Sequence, residues 1–178
     1  MTDPTGWEGI LDEDERILWQ GRPDGRLVLS ARNIPLVLFG ILFAGFALFW
    51  MIMAAFAGGF FWMFGLIHFF IGAGLAVGAP LFSAYRRRRT WYTLTDRRAF
   101  IATDLPLTGR KFKSYPIEED TRLDFVDGDP SSVHFAETVR RGKNRTYRVP
   151  VGFERIEGGR EVYTLIRKVQ SGEAGDMP

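Results

Sequence analysis

Residues 34–84 form one apolar run without a single Asp, Glu, Lys or Arg, and His68 is its only ionisable side chain. A membrane-crossing helix needs about 20 apolar residues, so the run is long enough for two. Gly58-Gly59 near its middle supplies a turn, and the pattern predicts a helical hairpin over 34–56 and 60–85. Past residue 90 the period of the pattern drops to two. Tyr92 and Leu94 alternate with threonines, and Asp96-Arg97-Arg98 reads as a turn. Further strands follow at 99–103, 111–117, 122–126 and from Val133 through Phe135 to Glu137. Tyr147, Val149, Val151 and Phe153 give the cleanest alternation in the chain. Val162, Leu165, Ile166 and Val169 then recur at i, i+3, i+4 and i+7, one face of an amphipathic helix that Gly172 stops. The strand face should pack on that helical stripe.

The predicted hairpin carries small residues on two stripes. Gly40, Ala44, Ala47 and Ala54 recur along the first helix, and Gly65, Gly72, Ala76 and Ala79 along the second. Such stripes let two backbones approach closely, which is how helices associate in lipid without a hydrophobic drive. Gly74 and Gly78 lie off the second stripe. Pro35 suits the first turn of the first helix, and Pro80 sits late in the second. Upstream, the first nine residues read as disordered, and 16–19 is a short apolar segment closed by Gln20-Gly21-Arg22-Pro23. The domains expected are therefore 1–33, a segment able to add a strand to the later domain; 34–85, the hairpin; 86–172, a β-domain ending in a helix; and a flexible tail, 173–178.

Composition changes this picture only through its distribution. Mean hydropathy is −0.05, an average of an apolar hairpin and polar flanks. Net charge is +2, with seven acids against four arginines before the hairpin and fourteen against nineteen Lys and Arg after it. Arg26 and Arg32 precede the first helix, Arg86, Arg87, Arg88 and Arg89 follow the second, and the connection at Gly58 has no charge. The positive-inside rule then predicts both termini in the cytoplasm. A cleaved signal peptide would need a net acidic leader of over thirty residues, which argues against that reading. The chain has no Cys, so no disulfide, thiolate or cysteine metal site exists in it.

Two stretches resemble a known group. Glu15-Arg-Ile-Leu-Trp-Gln-Gly-Arg-Pro is similar to the opening "E-x-[IVL]-[IL]-W-x-G-x-P" of bacterial membrane proteins with a pleckstrin-homology-like (PH-like) domain. Tyr92-Thr-Leu-Thr-Asp-Arg-Arg-Ala resembles their "Y-x-[IL]-T-[ND]-x-R-[VAL]" hairpin, and Phe153-Glu-Arg-Ile before a final helix also matches. The resemblance implies a bacterial inner-membrane protein whose mainly-β cytosolic domain is a PH-like barrel of about seven antiparallel strands, capped by a C-terminal helix. Six strands are legible after the hairpin, and 16–19 is the candidate for the seventh.

Candidate chemistry is sparse. Arg86–Arg89 is read as an orientation signal that also meets anionic lipid headgroups. His68, roughly 12 Å from the outer end of its helix, is a candidate intramembrane polar site, weighed against a neutral imidazole bonded to the neighbouring helix. His134, Glu118-Glu119-Asp120, Asp127 and Asp129 read as surface or turn residues, without the spacing of a calcium loop. No phosphate loop, nucleophile elbow or zincin helix is present. The expectation is a non-catalytic interaction module without cofactor or metal, with membrane lipids and another protein as partners and no nucleic acid; homo-oligomerisation is compatible with the pattern. The alternative is an accessory subunit of a larger inner-membrane complex docked through the hairpin. A membrane enzyme or small transporter built around His68 is the third reading.

Overall fold

The computed structural model describes residues 7, 9–31, 33–106, 108–142 and 145–176. The chain divides into two compact units, one of residues 25–86 and one that joins residues 1–24 to 87–178.

The first unit is the hairpin. Helix α1 spans Ile34–Phe56 with a proline in its first turn, and helix α2 spans Phe64–Arg88 and runs on through Pro80. Gly58 and Gly59 both take positive φ, +84° and +79°, a conformation open to glycine and strained for other residues. A short 3₁₀ turn, Phe61–Met63, leads into α2. Both helices are long and apolar enough to cross a membrane. Their large side chains point away from the hairpin itself: Phe49 is 62 % exposed and Phe70 67 %. A helix in the core of a water-soluble domain would cover such residues.

The helices meet along the predicted small-residue stripes. Gly40, Ala44 and Ala47 are buried on α1, Gly65 and Gly72 on α2, while Ala76 is half-buried. The crossing is backbone on backbone. A methyl group added at Gly72 would lie 2.6 Å from the Ala44 amide nitrogen, and one at Gly40 2.6 Å from the Gly72 carbonyl oxygen. Around Gly74 and Gly78, by contrast, there is open space. At the open end of the hairpin the Asn33 amide donates to Ser83 Oγ at 2.9 Å, which ties the start of α1 to the end of α2.

Among the described residues the second unit contains seven strands and a helix. Strands β1 (Ile17–Gly21), β2 (Thr90–Thr95), β3 (Arg98–Leu105) and β4 (Gly109–Pro116) form one antiparallel sheet in that order. Strands β5 (Asp124–Val126), β6 (Ser131–Arg141) and β7 (Thr146–Ile156) form another. Helix α3, Gly159–Gln170, follows. Segment 16–19 therefore does supply a strand, β1, which pairs with β2 across the whole intervening hairpin. The closed barrel is not what forms. No ladder joins β4 to β5, because residues 117–123 leave the first sheet before β5 begins. The two sheets share a core instead, with Leu94, Ala99, Val133, Phe153, Ile156, Val162 and Ile166 all but excluded from solvent.

Three further expectations change. Of the face Tyr147, Val149, Val151 and Phe153, only Phe153 is buried, and Tyr147 is exposed. The reason is length: twelve helical residues reach about 18 Å and eleven strand residues about 36 Å, so α3 covers only part of β7. Leu165 is half-buried, whereas Val162, Ile166 and Val169 are buried. The expected flexible tail instead continues as a 3₁₀ turn, Glu173–Asp176, with Ala174 in the core; residues 177 and 178 lie outside the described residues. Within the segment expected to be disordered, Trp7 packs edge-on against Phe100 and Phe112, with ring centroids 5.3 and 5.9 Å apart.

Candidate functional site

The residues that carry the family resemblance converge. Glu15 follows a tight turn in which Asp12 N–H donates to its carboxylate at 2.9 Å, and its side chain is withdrawn from solvent. Thr95 Oγ donates to it at 2.6 Å, and the Arg98 guanidinium donates through Nη2 at 2.6 Å and Nε at 3.0 Å. Arg98 is thus the first residue of β3 and not part of the turn. Burial alone would push the Glu15 carboxyl up; the Arg98 and Thr95 hydrogen bonds, the Asp12 N–H and the guanidinium charge outweigh it and hold it at about 2. The same pairing raises Arg98 above the ordinary arginine range.

The other motif residues are equally occupied. Trp19 lies across Gly21, where any Cβ would overlap its indole ring, and stacks at a tilt on Phe153 at 5.3 Å. Tyr92 also packs on Phe153, at 4.9 Å, and its hydroxyl accepts from Glu154 N–H at 3.2 Å. Arg155, with φ +53°, donates to Asp24 Oδ2 at 3.0 Å and accepts the Asp24 N–H on its carbonyl at 2.7 Å. These residues hold the N-terminal segment, β2–β3 and β7 together. Their roles are structural.

The arginine run divides between elements. Arg86, Arg87 and Arg88 end α2 and Arg89 precedes β2. Arg87 Nε donates to the Asp24 carbonyl at 2.9 Å, so this residue braces the Asp24–Arg155 contact, and none of the four stands without an interaction. In the hairpin, His68 Nδ1 lies 3.3 Å from the Phe64 carbonyl of its own helix, not of the neighbouring one as the sequence suggested. Its ring stands by Phe43 and Phe64, centroids 6.0 and 5.2 Å away. It borders an apolar cavity of about 270 Å³ with Phe46, Ala47, Trp50 and Gly65.

The acidic segments gather no ligand set: among the described residues no three His, Asp or Glu side chains are placed to hold a metal ion. Asp127 pairs with Arg160 at 3.4 Å, and His134 Nδ1 lies 3.9 Å from Asp124.

The feature not foreseen is a cleft on the face of the four-stranded sheet turned away from the core. Register places Trp91 beside Ala102, and Ala102 beside Phe112, a row that forms the floor. Gln20 and Thr93 continue it, Trp7 stands at one wall, and Arg22 and Arg110 border it, the latter in register with Asp104. Its volume is about 670 Å³. The Arg22 guanidinium sits 5.0 Å over the Trp91 ring, a cation–π contact. Beside the cleft runs β4, an edge strand of eight residues, nearly all exposed. Among the described residues its lining has no His, Ser or Glu; aromatic floor and guanidinium rim suit binding of an apolar group next to a carboxylate. The one hint in the sequence was alternation within β2–β4, which cannot say which face stays uncovered.

Comparison with models of known protein families finds no match, and neither does comparison with curated proteins or with solved structures.

Proposed function

We propose that this chain is a membrane-anchored, non-catalytic interaction module of the PH-like kind, held in the bacterial inner membrane by α1 and α2 with both termini in the cytoplasm. The partner is another protein, which presents an extended segment with an apolar or aromatic side chain and an acidic neighbour. The cleft carries this reading, because it offers a floor of Trp91, Ala102 and Phe112, cationic borders at Arg22 and Arg110, and the open edge of β4 alongside. A strand added to such an edge gains main-chain hydrogen bonds while alternate side chains enter the pocket. The pairing of β1 with β2 supports the topology, since it keeps both flanks of the hairpin on one side.

A photo-crosslinking residue in place of Phe112, in the full chain in native membranes, tests it. The expected result is a discrete adduct that weakens when Arg110→Glu is added. The accessory-subunit reading is favoured by the Phe-lined cavity of the hairpin, and it predicts the adduct from a probe at Phe46 instead. An adduct at Phe46 with none at Phe112 would overturn the cleft.

A further inference from the structure

The β6–β7 hairpin reaches beyond the core. Burial on β6 ends at Phe135 and on β7 begins at Gly152; 137, 139–141 and 145–148 are exposed, and Thr138 between them is half-buried. At about 3.3 Å per residue the overhang is on the order of 15 Å. Residues 137–148 hold five basic side chains, Arg140, Arg141, Lys143, Arg145 and Arg148, against one acid, Glu137. Glu137 pairs with Arg148 at 3.3 Å. Among these charges stand two exposed apolar residues, Val139 at 63 % and Tyr147 at 53 %. Register puts Tyr147 beside Arg140 and Val139 beside Arg148, so each apolar side chain has a guanidinium for a neighbour.

We infer that this arm docks on an anionic phospholipid surface. Guanidinium groups match phosphate oxygens in pairs, and a tyrosine places an apolar ring and a hydroxyl at headgroup depth. The paired arrangement fits a layer in which phosphate lies above hydrocarbon. The same chain has two helices long and apolar enough for a bilayer, and only Arg89 separates α2 from β2. A bilayer crossed by those helices would therefore be tethered to the β unit at high effective concentration. The lipid contact is thereby assigned to the arm, in addition to the arginine run to which the sequence points. It is independent of the cleft.

The chain has no cysteine, so Thr146→Cys provides a single site for a spin label in the full-length protein. The protein is placed in nanodiscs of phosphatidylcholine, alone or mixed with phosphatidylglycerol, and label mobility and depth are read. Anionic discs should immobilise the label at headgroup depth. The effect should fade as salt shortens the Debye length from about 8 Å to about 3 Å at 1 M. Arg140→Glu should lower the docked population at least fivefold, about the worth of one basic residue near a negative leaflet. Arg160→Glu, an equal charge change at another exposed site, should leave it unchanged. A label that stays mobile and aqueous in both discs would overturn the inference. So would a label immobilised only when single-stranded RNA is added to neutral discs, which would make the arm a nucleic-acid contact.

Discussion

At the scale of single residues, Glu15 shows what local pattern cannot reveal. It is the last of four acids in a row, Asp12 to Glu15, and nothing in the run marks one as buried. Its partners are 80 and 83 positions away, and only the fold brings them within reach. The motif spelling did single out Glu15, Trp19, Gly21 and Arg98, but as a resemblance without physical cause. The cause is now visible in a buried ion pair and in an indole that needs a glycine beneath it. The carboxyl is held at about 2 against an ordinary 4.5. Its contribution is therefore complete above about pH 4.5 and is lost as pH falls toward 2. A shift of this size corresponds to about 3 kcal/mol. In unfolding measurements on the full chain, wild type should lose that much across this window. Glu15→Gln should start lower and titrate less steeply, so that the two curves converge in acid; parallel curves would contradict the assignment. Arg98→Met, which strands a buried carboxylate, should cost about 3–5 kcal/mol near neutral pH.

At the scale of elements, the period of the hydrophobic pattern was the dependable guide. The stripes of α1 and α2 and the face of α3 follow from 3.6 residues per turn, and the structure buries Gly40, Ala44, Ala47, Gly65, Gly72, Val162, Ile166 and Val169 of them, leaving Ala54, Ala76, Ala79 and Leu165 half-buried. The strands were legible by their alternation, but the alternation does not say how far along a strand the core extends. Tyr147 shares a face with Phe153 and still lies in solvent, because α3 ends before it. The same shortfall created the arm. For α3 the expected ranking follows burial. Ile166→Ala should cost about 2–5 kcal/mol, Leu165→Ala less, and the exposed Arg167→Ala within about 0.5 kcal/mol. Chemical denaturation of the three variants in one detergent would check this. Equal small losses at Ile166 and Arg167 would mean that α3 is not part of the core.

At the scale of the whole molecule, the β unit is built from both sides of the hairpin. Strand β1 precedes α1 and its neighbour β2 follows α2, so a fragment beginning at residue 86 lacks an edge strand and the Glu15–Arg98 and Asp24–Arg155 pairs. The sequence segments suggested a domain of 86–172; the contacts draw it as 1–24 with 87–178. If both helices cross a bilayer, this arrangement requires that the chain return to the side it left. The uncovered sheet face could not be read from the pattern, since apolar positions on both faces of β2 look alike until Trp7 and the core claim their shares. The most direct test of this split β unit and of the proposed membrane anchoring is accessibility of single cysteines at Glu13, Phe60 and Ser171, all exposed, to an impermeant thiol reagent. In intact bacterial cells stripped of their outer membrane, Phe60→Cys should react at once, and Glu13→Cys and Ser171→Cys only after the inner membrane is opened. Reaction of Glu13→Cys and Ser171→Cys on opposite sides, or of all three before opening, would contradict it.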